Sequence, residues 1–286
     1  MSNLDAVPEE FAAACVQFDV RKGDVANNLA EAQRGLRAAA AAGARLAVLP
    51  EMWPTSYVQD PKTALLAASR AAEDAIVALS GELGMVVVGS GFDAEDGKLW
   101  NRAIVADHGR VLGRYRKIHL FTPNAEHKLF APGDTPLVVD TSAGRLGVLI
   151  CYDIRFPELV RWMFHRKVEV LAVPAQWPES RAAHWRALTL ARAIENQCFV
   201  VGCNRTGVEP SFRTGEPLLY PGDSRIVDPM GEVLAGGAGE SGPVLGAVSV
   251  RKSQMMRRIL PVAKDRRPDV YRALWERVWN EGTPKS

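Results

Sequence analysis

Three residues in this sequence have the side-chain types that nucleophilic catalysis requires. Cys151 and Glu51 each follow directly on a short apolar run, and Lys117 lies in the basic segment 114–119. A thiol can attack a carbonyl carbon, a carboxylate can move protons, and an ammonium group can stabilise an oxyanion. If the three side chains converge, the sequence therefore predicts attack on a carbonyl carbon through a covalent intermediate.

The segment around Cys151 predicts an exposed nucleophile at the end of a strand. The apolar residues 146–150 precede Cys151, and a short turn then leads to Pro157, which is favoured in the first turn of a helix. Other hydrolases use the same order of strand, nucleophile, turn and helix, and the N–H groups of such a turn can face an oxyanion. The alternative interpretation is an ordinary buried cysteine.

Glu51 and Lys117 also have simpler interpretations. Partial desolvation at a strand end suits a carboxylate for proton transfer, but Glu51 could instead be a helix cap or a loop carboxylate. Alternation along a strand would place Tyr115, Lys117 and His119 on one face, whereas a basic edge strand would leave Lys117 in solvent. An ammonium group about 4 Å from a thiolate, at an effective dielectric constant of about 20, attracts it by about 4 kcal/mol. Desolvation opposes part of this attraction, and we expect the remainder to favour a charged or easily ionised sulfur at Cys151.

Strands and helices that alternate along the chain must bring these residues together. Strands are predicted at residues 12–18, 46–49, 85–91, 99–106, 109–119, 137–140, 145–150, 168–174, 198–203, 226–228, 232–234 and 244–250. Helices are predicted at residues 27–42, 63–83, 157–166 and 180–197, and the last should pack through Ala183, Ala187, Leu190, Ala191 and Ile194. Several strands are apolar throughout, so both faces of their sheets need cover. We interpret residues 1–286 as a single domain.

The composition excludes several classes of protein. The chain has 286 residues, 47% of them hydrophobic and 24% charged, and its net charge of +2 forms no basic stripe, so no nucleic-acid partner is expected. No apolar run approaches the roughly 20 residues that span a bilayer, so no membrane partner is expected. The polar, acidic N-terminus does not resemble a signal peptide, and four cysteines suit a reducing compartment, which predicts a cytoplasmic protein.

Three motifs resemble those of the nitrilase, or carbon–nitrogen hydrolase, superfamily, in the same order. They are LPEMW around Glu51, YRKIHLF around Lys117 and GVLICYDIRFPE around Cys151. The similarity covers nearly the whole chain, and CYDIRFPE resembles the omega-amidase branch more than true nitrilases, whose nucleophile is typically followed by Trp-Glu. The resemblance implies a four-layer α-β-β-α sandwich that forms a homodimer or a higher homo-oligomer. A C-terminal tail of about residues 251–286 is expected at the subunit interface.

The resemblance also implies functional residues and a substrate class. It adds Glu126, in FTPNAEHKLFAPG, where the sequence alone predicts a solvent-facing loop. The implied reaction is hydrolysis of the terminal carboxamide of a dicarboxylic acid monoamide, such as 2-oxoglutaramate or succinamate, through a thioester on Cys151. Glu51 is the expected base, Lys117 and the N–H of Tyr152 are the expected oxyanion donors, and Glu126 is expected to orient Lys117 and the substrate nitrogen. No metal and no organic cofactor are expected, because the three side chains supply every role.

The far carboxylate of such a substrate needs a cation or a hydroxyl group. The candidate substrate-binding residues are Tyr57, Tyr152, Arg155, Gln176 and Trp177. Arg155 could instead form a structural ion pair with Glu158, and Trp177 could belong to the core. Activity on deaminated glutathione or on N-carbamoyl compounds would use the same three catalytic side chains and stays open.

Two interpretations belong to other classes of protein. A Cys–His hydrolase or acyltransferase needs a histidine base, and only His119 lies in a motif, where a structural role is expected. For a non-catalytic binding module, the glycines at 89–91 do not complete a dinucleotide-binding pattern. Cys198 and Cys203 have no second pair of metal ligands, so they are expected in the core, as is Cys15.

Overall fold

The structure, a computed structural model, describes residues 9–211 and 214–280. In these ranges the strands are β1 (Phe11–Gln17), β2 (Ala44–Val48), β3 (Val86–Glu95), β4 (Lys98–Asp107), β5 (Arg110–Arg116), β6 (Leu137–Thr141), β7 (Gly144–Val148), β8 (Val170–Ala175), β9 (Phe199–Asn204), β10 (Thr206–Pro210), β11 (Pro217–Val227), β12 (Val233–Ala238) and β13 (Gly242–Val248). The helices are α1 (Val25–Ala41), α2 (Thr63–Leu83), α3 (Pro157–His165), α4 (Ala182–Asn196), α5 (Val250–Ile259), α6 (Val262–Asp265) and α7 (Pro268–Asn280). Short 3₁₀ helices lie at Thr122–Asn124, Glu126–Lys128, Cys151–Arg155 and Glu179–Arg181.

The strands form two sheets whose central strands run parallel. The first sheet has the order β13-β1-β2-β3-β4-β5, and the second has the order β10-β11-β9-β8-β7-β6, with β12 paired to β11. Strands β1, β2 and β3 are parallel, and so are β7, β8 and β9. In each sheet, the carboxyl ends of three neighbouring strands therefore lie at one edge, where open α/β sheets bind ligands.

The sheets pack face to face, and helices cover the outer face of each one. Along β1, Ala13 and Cys15 pack between the sheets, whereas Ala14 and Val16 pack with α1 and α2. Helices α3 and α4 pack together, and α4 contacts β9 and β11 of the second sheet. Because alternate side chains of a strand point to opposite faces, a strand buried on both faces is apolar throughout. The expected four-layer α-β-β-α fold is confirmed.

Most predicted elements are present, although their ends shift by a few residues. Helix α2 spans the predicted residues 63–83, and α3 begins at Pro157, whose fixed φ suits the first helical position. The prediction missed β10, most of β11 and the helices of the tail. Both β10 and β11 contain proline and glycine, which are typical of turns. The residue pattern therefore did not predict strands there.

The predicted packing face of α4 is wrong. The buried residues of this helix are Trp185, Thr189, Arg192, Ala193 and Asn196. Ile194 from the predicted face is 51% exposed. The apolar pattern misleads because α4 buries polar side chains that have fixed partners, such as Arg192, whose Nε donates to the carbonyl of Ile154 at 2.8 Å.

The first and last of the three helices that the structure describes in the tail differ in how they attach to the rest of the fold. Helix α5 is held by an ion pair of Lys252 with Asp228 and by Gln254 Nε2, which donates to Glu169 Oε1 at 2.8 Å. Helix α7 instead exposes Val270, Tyr271, Leu274, Trp275 and Val278. Within the described residues, no helix combines the length and the apolar character needed to cross a bilayer.

Candidate active site

The three side chains predicted to do chemistry line one cavity of about 240 Å³. Glu51 follows β2, Lys117 follows β5 and Cys151 follows β7, so both sheets contribute to the site. Glu51 and Lys117 are each 1% exposed, and Cys151 is 9% exposed. The structure therefore brings together three groups that lie far apart in the sequence.

Cys151 stands on a strained turn at the start of its 3₁₀ helix. Its φ of 46° lies in the left-handed region, which is unfavourable for a residue other than glycine. The hydrogen bond from Asp153 N to Ile150 O, 3.0 Å long, enters the first turn of this helix. The N–H of Tyr152 precedes that bond, and such groups at a helix start are free to bind an outside acceptor. The backbone around Cys151 can therefore serve an oxyanion.

Asp153 holds this turn in place, a role that was not predicted from the sequence. Its carboxylate accepts hydrogen bonds from the N–H groups of His119 at 2.9 Å and Ile150 at 3.0 Å. Tyr115 Oη donates to the same carboxylate at 2.7 Å. Since buried carboxylates need such partners, the acidic residue two positions after Cys151 is a signal that could have identified this role.

The two carboxylate oxygens of Glu51 have different surroundings. Oε1 accepts hydrogen bonds from Tyr57 Oη at 2.6 Å, Asn101 Nδ2 at 2.8 Å and Lys117 Nζ at 2.8 Å. Among the described residues, Oε2 accepts one hydrogen bond, from the N–H of Gln176 at 3.2 Å. Oε1 is saturated, whereas Oε2 keeps a lone pair with which to accept a proton.

The ammonium group of Lys117 bridges two carboxylates. Nζ lies 2.8 Å from Glu51 Oε1 and 2.8 Å from Glu126 Oε2. Glu126 is 4% exposed, and the N–H of Phe121 donates to its Oε2 at 2.7 Å. The expectation of a solvent-facing Glu126 is therefore wrong, because the loop turns this side chain inward to meet Lys117.

The electrostatics of the cavity favour the protonated form of the Cys151 sulfur. Burial alone would lower the pKa of Lys117, but the carboxylates of Glu126 and Glu51 outweigh it and raise this pKa, so the ammonium stays charged. Burial and the Glu51 carboxylate raise the pKa of Cys151 well above its usual range, and Lys117 offsets only part of that rise. The expectation of a charged or easily ionised sulfur is therefore wrong, because two carboxylates already share the Lys117 charge.

All five residues predicted to bind substrate line the cavity: Tyr57, Tyr152, Arg155, Gln176 and Trp177. The polar groups of two of them, Tyr57 and Gln176, are committed to Glu51. Tyr57 Oη donates to its carboxylate, and Gln176 Nε2 donates to its backbone carbonyl at 2.8 Å. Trp177 is also a wall of the cavity, and its Nε1 donates to the carbonyl of Arg181 at 2.8 Å.

Two guanidinium groups line the cavity near its aromatic walls. Arg155 lies 4.8 Å from the centre of the Trp177 ring, and its Nη2 is 3.1 Å from His184 Nδ1. No carboxylate among the described residues pairs with Arg155, so the alternative of an ion pair with Glu158 is wrong. Sequence reasoning missed Arg181, whose guanidinium lies 5.3 Å from the centre of the Phe121 ring. The position of Arg181 at the cavity is not visible in the sequence, because the loop after β8 brings it there.

Asn101 is another residue of the site that sequence reasoning missed. It lies on β4, is fully buried, and donates from Nδ2 to Glu51 Oε1 at 2.8 Å and to Glu126 Oε1 at 3.3 Å. A buried amide needs hydrogen-bond partners. An asparagine inside a predicted strand was therefore the available signal.

All five histidines fall in the described ranges, and none of them lines the cavity. His119 Nδ1 lies 2.9 Å from Asp153 Oδ1, and its ring stacks on Phe156 with 3.6 Å between ring centres. The geometry thus gives Cys151 a carboxylate rather than an imidazole as its nearest base. The described residues contain no group of three or more acidic, cysteine or histidine side chains that could hold a metal ion.

Known proteins resemble this chain over most of its length. The profile of the carbon-nitrogen hydrolase family matches residues 12–255. The chain is 34% identical over 265 residues to a 2-oxoglutaramate amidase of Bacillus subtilis, which covers 92% of this chain and 100% of that protein. It is 30% identical over 272 residues to a deaminated glutathione amidase of Synechocystis, which covers 90% of this chain and 98% of that protein.

Solved structures share the fold. A carbon-nitrogen hydrolase from Helicobacter pylori G27 has a TM-score of 0.84 at 26% identity, over 93% of this chain and 98% of that chain. A mutant amidase from Nesterenkonia sp. AN1 has a TM-score of 0.78 at 27% identity, over 93% of this chain and 96% of that chain. In that amidase, the acetamide moiety of fluoroacetamide is added covalently at the active-site cysteine. From these matches and the family profile, this protein belongs to the carbon-nitrogen hydrolase family and hydrolyses carbon–nitrogen bonds other than peptide bonds.

Proposed function

We propose that the protein is an omega-amidase, which hydrolyses the terminal carboxamide of a dicarboxylic acid monoamide, such as 2-oxoglutaramate or succinamate, to the acid and ammonia. The observation that carries this proposal is a single cavity lined by Cys151, Glu51 and Lys117 and also by Arg155 and Arg181. The first three groups can attack an amide carbonyl and stabilise the resulting oxyanion, and the two guanidinium groups can bind a carboxylate. The similarity to a 2-oxoglutaramate amidase supports the same substrate class.

In the first half of the reaction, Cys151 Sγ attacks the carboxamide carbon while Glu51 Oε2 accepts the thiol proton. The carbonyl oxygen becomes an oxyanion, which the Lys117 ammonium group and the Tyr152 N–H stabilise. Glu51 then passes the proton to the leaving nitrogen, the C–N bond breaks, and ammonia departs. A thioester remains on Cys151.

In the second half, water hydrolyses the thioester. Glu51 takes a proton from the water, whose oxygen attacks the acyl carbon, and the same two donors stabilise the second oxyanion. The C–S bond breaks, the proton returns to Cys151 Sγ, and the acid leaves. The neutral thiol of the resting site is restored, which agrees with the raised pKa of Cys151.

The far carboxylate of the substrate binds at Arg155 and Arg181 in this proposal. Arg155 has no carboxylate partner among the described residues, and Arg181 packs on Phe121 at the cavity wall. A cavity of about 240 Å³ is smaller than the sites that hold drug-sized ligands, roughly 300–1,000 Å³, and so suits a small monoamide. Glu126 serves to hold Lys117 rather than to contact the carboxylate.

We also propose that the protein works as a homodimer or a higher homo-oligomer in the cytoplasm. The exposed apolar side chains of α7, including Leu274 and Trp275, support burial of the tail against a second copy. Ile194 of α4 adds to the exposed apolar surface. All four cysteines are free thiols, which supports a reducing compartment.

The test is a substrate panel assayed for ammonia. The panel contains 2-oxoglutaramate, succinamate, deaminated glutathione, an N-carbamoyl amino acid and an aliphatic nitrile. We expect the two monoamides to have the highest kcat/KM. Preferred turnover of deaminated glutathione, which the similarity to an amidase of that name favours as the second candidate, would reassign the substrate. Preferred turnover of the carbamoyl compound or the nitrile would reject the omega-amidase activity.

A matched pair of cysteine variants tests the nucleophile. Cys151→Ala should abolish ammonia release from every member of the panel. Cys198→Ala removes another buried thiol, whose pKa burial raises to about 12 and which lies outside the cavity. This control should keep wild-type activity. Ammonia release by Cys151→Ala at the wild-type rate would reject the thioester mechanism.

A further inference from the structure

A buried arginine outside the cavity is hydrogen-bonded through all three of its guanidinium nitrogens. Arg205 lies between β9 and β10 and is 1% exposed. Nη1 lies 2.8 Å from Glu209 Oε2, and Nη2 lies 3.0 Å from Asp19 Oδ1. Nε donates to the carbonyl of Thr206 at 3.1 Å. Such a fork-shaped donor with a partner at each nitrogen is fixed in orientation.

The same guanidinium group reaches the loops that carry the proposed base. Nη1 of Arg205 donates to Gln176 Oε1 at 3.2 Å and to Ser56 Oγ at 3.3 Å. Gln176 in turn holds Glu51, through Nε2 to its backbone carbonyl at 2.8 Å and through its own N–H to Oε2 at 3.2 Å. The carbonyl of Gln176 also accepts the Cys151 thiol at 3.8 Å. One residue therefore separates Arg205 from both the base and the nucleophile.

The backbone of the loop after Glu51 is strained, so its conformation depends on the side chains that contact it. Met52 and Ser56 have φ angles of 47° and 54°, in the left-handed region. Such conformations persist only where the surroundings hold them. Ser56 Oγ donates to Glu209 Oε2 at 2.7 Å, so Arg205 and Glu209 hold the far end of the loop that begins at Glu51.

We propose that Arg205 is a positioning residue for the amidase reaction, acting through Gln176 to keep Glu51 Oε2 oriented for proton transfer with Cys151. Two carboxylates, Asp19 and Glu209, neutralise its charge, so its role is geometric. The planar fork contacts several partners at once, which the single nitrogen of a lysine cannot reproduce. The inference rests on the proposed roles of Glu51 and Cys151 but does not depend on which amide is the substrate.

The test compares Arg205→Lys, Arg205→Met and Gln176→Leu with the wild type in the full chain. Two rates are measured across the neutral pH range. One is steady-state ammonia release from succinamate, separated into kcat and KM. The other is alkylation of Cys151 by chloroacetamide, followed by mass spectrometry. Alkylation requires removal of the thiol proton but no recognition of a dicarboxylate, so it reports on Glu51 and Cys151 alone.

We expect kcat to fall about 10- to 100-fold in Arg205→Lys and in Gln176→Leu, since misplacing reacting groups by about 1 Å has an effect of this size. KM should change less than about threefold, because neither side chain provides a polar contact to the substrate. The alkylation rate should fall in parallel with kcat. A double variant that combines Arg205→Lys with Gln176→Leu should be no slower than the slower of these two single variants, because both changes break one chain of contacts.

Arg102→Lys is the matched control. Arg102 is another buried arginine, paired with Glu73 on α2, and it does not line the cavity. This variant should unfold at a lower temperature and keep the wild-type kcat and alkylation rate. Arg205→Met removes the charge as well as the fork. If charge alone mattered, Arg205→Lys would regain the rates that Arg205→Met loses, and that result would overturn the proposal.

The positioning role can still be tested if the Arg205 variants do not fold or if the wild type does not hydrolyse a monoamide. If neither Arg205 variant folds, Gln176→Leu is decisive: a wild-type alkylation rate overturns the proposal, and a parallel loss of alkylation and kcat supports it. If the wild type releases no ammonia from any monoamide, the proposed function fails. The alkylation rates of the variants then still support or overturn the positioning role.

Discussion

In two buried clusters of this protein, a basic side chain pairs with glutamate, and only one of these two clusters lines the active-site cavity. In the cavity, Lys117 lies between Glu51 and Glu126, and under α2, Arg102 pairs with Glu73. Burial raises the pKa of Glu126, and it raises the pKa of Glu73 to about 7 despite the neighbouring Arg102. Of these two clusters, only the first lines a cavity that also contains a cysteine.

A carboxylate with a shifted pKa is therefore not sufficient to mark a functional site. Around Glu73 the packing is tight: a Cβ atom added at Gly91 would lie 2.5 Å from its Oε1. Around Glu51, the strand ends leave space between the two sheets. Variants of the two clusters should accordingly separate effects on catalysis from effects on stability.

Glu51→Gln should have the largest effect. Without the carboxylate, the Cys151 thiol has no base, and kcat/KM for a monoamide should fall by about 10³- to 10⁴-fold. Glu73→Gln makes the same change in the other cluster and should keep kcat/KM within about twofold of the wild type. Both are measured by ammonia release. Equal losses in the two variants would contradict the distinction between the clusters.

Glu126→Gln should lower kcat/KM by about 10²- to 10³-fold, the range for loss of one oxyanion donor. The reason is that Lys117 loses a charged partner that fixes its ammonium group. The same ammonia assay measures it, and circular dichroism checks that the fold is retained. A folded Glu126→Gln protein with wild-type kcat/KM would show that Glu51 alone suffices to hold Lys117.

Glu73 should make the stability of the protein depend on pH. Burial raises its pKa from 4.5 to about 7, so the folded protein retains a proton that the unfolded chain has lost in this interval. The stabilising contribution is complete below pH 4.5 and disappears as the pH rises to about 7, a change of roughly 3 kcal/mol. Urea unfolding of the wild type and of Glu73→Gln at several pH values measures it. A constant difference in unfolding free energy between the two proteins would refute the prediction.

His119→Asn should have the smallest effect, less than about threefold on kcat/KM, because His119 contacts Asp153 and Phe156 outside the cavity. An asparagine can still donate to the Asp153 carboxylate. The ammonia assay compares this variant with Glu51→Gln. A loss as large as that of Glu51→Gln would instead support a Cys–His mechanism.

The sequence predicted the structure best where a local residue pattern determines a local element. Helix α2 and the start of α3 at Pro157 follow from periodicity and from the fixed φ of proline. Glu51 and Cys151 were found because each follows directly on an apolar strand. The same reasoning failed at α4, since its buried face contains Arg192 and Asn196, whose partners lie elsewhere in the chain.

The sequence by itself determined the layered α/β fold, the family motifs and the three candidate side chains, because apolar strands and the residues that follow them are encoded locally. Only the tertiary structure decided that Glu126 turns inward, that burial and Glu51 raise the pKa of Cys151, and that hydrogen bonds link Arg205 to Glu51 through Gln176. Protonation and hydrogen bonding depend on distances between groups far apart in the chain. Those distances exist only once the two sheets have packed together.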